Sequence, residues 1–257
     1  MALRSNGRFL NLLASSRGFS LIELMVAILI LAIIGAGVVA ASSVFVSNAK
    51  RARDLSTSTR DLRQASTIIS RVLTNADRDL LIFTDVGRTS VPGASDGVIV
   101  KSTIGSATNR RTLLYYIYYD PQRSVVELRS NNVPTGFNVD NANDPTFLQQ
   151  CRTNPGSVSD QTTCSAVNPN SSFWSSAAAY TLVPRAFLPD NRSLFVWYTQ
   201  PNAPANTAGT ADGVGIVDLF LAAARDPQTG RPTAVYSTTI LMRRRFSQGL
   251  GFGAPGC

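Results

Sequence analysis

No histidine occurs among the 257 residues. With it go the usual general base at neutral pH, any serine-histidine-acid triad and most zinc sites. Cysteine is scarce as well: Cys151, Cys164 and Cys257 are the three in the chain, and no two stand at a metal-ligand spacing. No glycine-rich loop suited to cradle phosphate is present, and no pair of carboxylates sits in a catalytic setting. Asp212 and Asp218 flank Gly213-Val214-Gly215-Ile216-Val217, which reads as a turn entering a strand rather than a calcium loop. The expectation is a protein that is not an enzyme and takes no cofactor or metal. Lysine is nearly missing, since 22 of the 24 basic residues are arginine, so contacts made through cations are made through guanidinium groups.

The widest gap in the charge pattern lies near the start. Between Arg17 and Lys50 a single charged residue, Glu23, heads the run Leu24-Met25-Val26-Ala27-Ile28-Leu29-Ile30-Leu31-Ala32-Ile33-Ile34-Gly35-Ala36-Gly37-Val38-Val39-Ala40-Ala41. A hydrocarbon core about 30 Å thick is crossed by about 20 apolar helical residues, so this run is long enough. An ionisable side chain at its edge costs about 1–3 kcal/mol unless something pairs with it. A cationic partner for Glu23 is implied.

Upstream, residues 1–18 carry Arg4, Arg8 and Arg17, no acid, and end in Arg17-Gly18. An ordinary secretory signal is cut after its apolar segment, at small residues. Ala40-Ala41-Ser42 nearly suits that cleavage, but the acid at the head of the segment argues against it. The string Gly18-Phe19-Ser20-Leu21-Ile22-Glu23-Leu24-Met25 resembles the class III signal of type IV prepilins and type II secretion pseudopilins. That resemblance implies that a prepilin peptidase cuts between Gly18 and Phe19 and that Phe19 becomes the N-methylated first residue. It also implies that Glu23 is the assembly carboxylate, paired with the exposed amino terminus of a neighbouring helix. Breaking one side of a buried ion pair costs about 3–5 kcal/mol while an intact pair adds little, so Glu23 should set register and recruitment more than fibre strength.

The same resemblance implies other major and minor pilins and an inner-membrane assembly platform as partners. It places the chain in the bacterial inner membrane as a single pass, leader cytoplasmic and head exported, before it joins a surface pilus or a periplasmic pseudopilus. Charge alone does not decide that orientation, because Lys50, Arg51 and Arg53 balance the three leader arginines. Removing the leader leaves 239 residues and lowers the formal net charge from +8 to +5. That balance permits contact with DNA or an anionic surface and does not demand it.

Four segments are expected: a leader at 1–18, a transmembrane and assembly helix at 19–47, an amphipathic helix at 48–84 continuing into the head, and an antiparallel β head at 85–257 with a polar insertion at 131–172. Residues 48–83 contain no proline or glycine and set Leu55, Leu62, Ala65, Ile69, Val72, Ala76 and Leu80 on one stripe. The pattern predicts a helix of about 90 Å from Phe19 to Leu80. Gly35 and Gly37 suit a membrane helix, where small residues allow close packing.

Beyond the helix the period changes. Runs of β-branched and aromatic residues at 97–104 and 112–119 predict strands, and Asp120-Pro121-Gln122 turns the second into a hairpin partner at 124–129. Further strands are expected at 180–183, 193–199, 214–222 and 234–246. A helix followed by antiparallel hairpins is an α+β fold, and with the resemblance it is the type IV pilin fold, a long helix packed on an antiparallel sheet. Tyr115, Tyr116, Tyr118 and Tyr119 alternate across a strand, which makes half of them core rather than a base-stacking platform. Arg243, Arg244 and Arg245 follow the last strand as edge protection.

The insertion is rich in asparagine, proline and serine, and it is expected to need more than burial to hold a shape. Cys151 and Cys164 enclose twelve residues of it, and a disulfide there is worth about 3 kcal/mol. Cys257, tied back to the body as in pilins with a C-terminal disulfide, is the alternative partner, and an odd count leaves one thiol over. The closing strand and Arg60-Asp61-Leu62-Arg63-Gln64-Ala65 resemble the larger minor pilins of the W type and the J-type pseudopilins. A large head with a polar insertion would crowd a fibre if every subunit carried it. The expectation is a minor, tip-proximal pilin of a type IV pilus, for which the resemblance allows roles in adhesion, twitching motility or DNA uptake. A type II secretion pseudopilin is the alternative within the family, and a bitopic membrane protein with a binding head the alternative outside it.

Overall fold

A computed structural model describes residues 20–84, 94–104, 111–189, 192–199, 214–225 and 232–241. The chain divides into two compact units, Met1–Asp54 and Leu55–Cys257. In the first, helix α1 (Leu21–Thr74) begins as an apolar rod that stays exposed among the described residues: Leu21 is 77% exposed, Val39 70% and Phe45 74%. Surface of this kind needs lipid or other helices to cover it. Two of its hydroxyls are bonded within the helix, Ser43 Oγ donating to Ala40 O and Ser47 Oγ to Val44 O, each at 2.8 Å. Hydroxyls bonded back to their own helix do not oppose an apolar surrounding.

In the second unit, nine strands follow α1 among the described residues: β1 (Ala76–Thr84), β2 (Ala94–Ser95), β3 (Gly97–Ile104), β4 (Arg111–Asp120), β5 (Val125–Asn132), β6 (Ala178–Val183), β7 (Phe195–Thr199), β8 (Val214–Arg225) and β9 (Pro232–Leu241). They form two antiparallel sheets, ordered β1-β3-β4-β5-β6 and β2-β7-β8-β9. The architecture is α+β, a long N-terminal helix with an antiparallel head, consistent with the type IV pilin fold, although the head is built on two sheets rather than one. Leu62, Ala65, Ile69 and Leu73 of α1 share a core with Val98, Ile117 and Val126 of the first sheet and Phe195, Val217 and Leu219 of the second. The chain passes between sheets at Ser95-Asp96-Gly97, where Asp96 O accepts Tyr119 N–H at 2.9 Å and Asp96 Oδ1 accepts Leu194 N–H at 3.2 Å.

The expected extent of the helix needs correction. The amphipathic helix does not reach residue 84, or even Leu80; it ends at Thr74, and Ala76–Thr84 is a strand. Ile82 and Phe83, neighbours in sequence, are both buried, one in each of the head's two cores. Burial on both sides of adjacent residues is a strand's geometry and not that of a one-striped helix. Ser102 of β3 donates its hydroxyl to Asn75 O at 2.9 Å, taking up a carbonyl at the helix exit. Of the expected stripe, Leu55 is exposed and Val72 only half-buried, while Ser66 and Leu73 join the buried face.

The insertion is held by burial together with the expected disulfide. It folds as α2 (Val139–Asn143), α3 (Pro145–Thr153), a 3-10 turn (Pro155–Ser157), α4 (Gln161–Val167) and α5 (Ser172–Ser175). These cover the far side of the first sheet, where Ala142, Phe147, Leu148, Val158, Val167 and Trp174 meet Ile82, Ile99, Leu114, Tyr116 and Tyr118. Cys151 and Cys164, both buried, are bonded to each other. Because both faces of β4 are covered, Tyr116, Tyr118 and Tyr119 are all buried rather than half of the set, and none is offered to a base. Cys257 and Arg243 to Arg245 lie outside the described residues, as does Asp212. Asp218 lies in β8, where Oδ1 accepts the Thr239 hydroxyl at 2.6 Å.

Candidate assembly site at the helix head

The segment that begins α1 is organised by Ser20 and Glu23. Ser20 precedes the first helical residue, and its hydroxyl oxygen accepts the Ile22 N–H at 3.3 Å. Glu23 Oε2 reaches back to accept the Ser20 N–H at 3.0 Å. Together these bonds cap the helix in the manner of a half-formed capping box: Glu23 takes the Ser20 donor, while the Ser20 hydroxyl takes the orphan donor of Ile22 rather than that of Glu23. The carboxylate also lies where the helix dipole favours negative charge. The spacing Ser20-Leu21-Ile22-Glu23 is the signature of such a box, and it overlaps the residues read above as a processing signal.

Glu23 is therefore placed at the mouth of the helix, exposed, and turned toward the chain's N-terminal side. One of its oxygens holds its own backbone; a carboxylate accepts at two, so a cation arriving from a neighbour can be received without dismantling the cap. Gly18 and Phe19 lie outside the described residues. Gly35 and Gly37 sit within unbroken helix, and a Cβ at either would meet nothing within 4 Å.

A distinct polar network ties the insertion to the sheet. Glu127 of β5, 2% exposed, accepts the Tyr118 hydroxyl at 2.6 Å, pairs with Arg123, and lies 3.3 Å from Arg129 Nη2. Arg129 Nη1 donates to Trp174 O at 2.9 Å, and Trp174 Nε1 donates to Ala166 O at 3.0 Å. Burial, then the hydrogen bond to Glu127, pushes the Tyr118 phenol well above its ordinary range. Burial pushes Tyr116 up to about 12. Both remain protonated, and Tyr118 donates to Glu127. No sequence pattern signalled this network, since its members meet only when β4 and β5 pair and α5 packs over them.

The prokaryotic N-terminal methylation motif matches residues 13–39, spanning the basic leader's end, Gly18-Phe19 and the apolar head of α1. No curated protein and no solved structure matches the chain. By length and composition α1 can cross a membrane, which fits anchoring there before assembly, and an antiparallel α+β head follows it in the chain. Over residues 13–39 the chain is thus similar to type IV prepilins and pseudopilins, a likeness that carries with it processing by a prepilin peptidase and assembly between pilins in general.

Proposed function

We propose that the protein is a minor, tip-proximal pilin of a type IV pilus, contributing to pilus assembly rather than to a chemical reaction. The observation that carries the reading is the coincidence of the methylation motif at residues 13–39 with a lone acid, Glu23, at the mouth of an apolar helix that is exposed throughout. Such a helix is covered first by lipid, then by the helices of neighbouring subunits, and Glu23 receives the methylated amino terminus of one of them. The size of the head supports a subunit used sparingly. Two sheets and a disulfide-held helical insertion occupy the second unit, far more than a repeated fibre subunit needs.

Mass spectrometry of sheared surface fibres tests the reading. The expected peptide begins at an N-methylated Phe19, and Glu23→Ala is expected to be processed normally yet fall at least about tenfold in the fibre fraction, the size of effect that an uncompensated half of an ion pair produces. Native protein retaining residues 1–18, or cut after Ala41, would overturn the reading. Recovery only from the periplasm, with the same methylation, would assign the chain to a pseudopilus instead.

A further inference from the structure

We propose that the insertion, residues 133–177 between β5 and β6, is a thiol-sensitive lid on the first sheet: its disulfide exchanges with outside thiols only while the insertion is lifted, and reduction favours the lifted state. The inference goes beyond the fibre reading and does not depend on it.

The sulfurs are shut away. Cys151 is 0% exposed and Cys164 1%. Exchange begins when a thiolate attacks one sulfur of the bond, so a bond with no open approach does not react. What closes the approach is the seat of the insertion on the sheet. Both cysteines belong to the core in which Phe147, Leu148 and Trp174 meet Ile99, Leu114 and Tyr116, and the core beneath α1 includes neither.

The insertion is fastened in a way that lets it lift. Among the described residues no backbone–backbone hydrogen bond joins any of its helices to either sheet. Side chains make the ties instead: Arg129 Nη1 to Trp174 O at 2.9 Å, Asn131 Nδ2 to Phe173 O at 3.0 Å, and Arg152 Nη2 to Phe83 O at 3.2 Å. Within the insertion, Asn168 Nδ2 donates to Cys151 O and Trp174 Nε1 to Ala166 O, each at 3.0 Å, so α3, α4 and α5 hold to one another and move as a unit. The entry is an exposed turn at Gly136, whose φ of +87° suits glycine alone, and the exit is the exposed start of β6. No sheet ladder breaks when the unit lifts. Opening of this kind costs less than unfolding the head.

An outside dithiol supplies both electrons. One of its thiolates attacks Cys151 or Cys164, forming a mixed disulfide and freeing the other cysteine; its second thiolate then displaces the first, leaving two cysteine thiols and the dithiol as its own disulfide. The lost bond had closed a loop across a sequence separation of 13. A crosslink acts by limiting the freedom of the unfastened chain, so breaking it shifts the balance toward the lifted state.

The test treats the full, detergent-solubilised chain with dithiothreitol and follows alkylation of Cys151 and Cys164 by mass spectrometry. Reduction in buffer is expected to be at least about a hundredfold slower than in urea, yet faster than loss of hydrogen-exchange protection at residues 62–73. The double variant Asn131→Ala, Arg152→Ala, which removes two ties and leaves the cysteines alone, should speed reduction about tenfold without exposing 62–73. In a Trp197→Phe background Trp174 is the one indole, and acrylamide quenching of its fluorescence should rise severalfold on reduction and fall back on reoxidation. Reduction as fast in buffer as in urea, reduction that keeps pace with exposure of 62–73, no response to the double variant, or unchanged quenching after full reduction would each overturn the proposal.

Discussion

At Gly97 the chain crosses from one sheet to the other, and the absence of a side chain there is structural. A Cβ would run into Thr84 Oγ1 and lie 3.2 Å from the Tyr116 ring and 3.3 Å from Thr84 O. Thr84 and Tyr116 are both buried and Gly97 N–H is held by Ser95 Oγ at 3.1 Å, so neither side can yield cheaply. Gly97→Ala is expected to cost about 1–3 kcal/mol as overpacking, read as a lower denaturant midpoint of the detergent-solubilised chain with an unchanged slope. Gly35→Ala, where nothing lies within 4 Å, should leave that midpoint in place. Glu23 works at the same scale. Its capping bond explains why one residue answers both for starting the helix and for waiting, exposed, at its mouth.

The insertion is the element whose stability is least like that of its surroundings. Three of its four α-helices start on a side-chain cap: Asn138 Oδ1 accepts from Asp140 N–H at 2.9 Å, Asp144 Oδ1 from Thr146 N–H at 2.8 Å, and Asp160 Oδ1 from Thr163 N–H at 3.0 Å. The core beneath is separate from the one beneath α1, and the disulfide joins α3 to α4 across it. Replacing Cys151 and Cys164 by serine should cost about 3 kcal/mol. Hydrogen exchange should speed up at residues 139–175 and remain slow at 62–73, because the two cores lie on opposite faces of the first sheet. Equal acceleration in both would show a single cooperative unit.

Acid should loosen the same element. Burial raises the Asp160 carboxyl, but its hydrogen bonds to the Thr163 amide and hydroxyl and to Asn141 outweigh that and hold it below its ordinary 3.8. A carboxyl lowered on folding contributes stability above its unfolded value, and the contribution disappears as pH falls through the folded one. Protection of α4 is therefore expected to be level at neutral pH and to decline below about pH 4. Asp160→Asn should flatten that decline.

For the whole molecule, the apolar run with its single acid, the hairpin of β4 and β5 and the change of period from helix to strand were legible because each is a local pattern. So was the choice of Cys151 and Cys164 for a loop-closing bond. The extent of α1 was not. Ala76, Leu80 and their spacing continue the helical stripe in the sequence, yet β3 offers a partner along 97–102, and pairing with it buries both Ile82 and Phe83. Nor was the second core legible: Phe147, Leu148, Val158 and Trp174 are scattered through a polar stretch with no regular period and become a cluster only against the far face of the first sheet.

The order of residues alone determined that the chain has a membrane-length helix headed by an acid, a basic stretch free of acids before it and a β-rich body after it, because periodicity, charge gaps and turn residues act over a few neighbours. The tertiary structure alone decided where α1 stops and that the head has two sheets and two cores. Those outcomes depend on which distant segment supplies the other half of a ladder or the other wall of a core, and no local pattern carries the address of its partner.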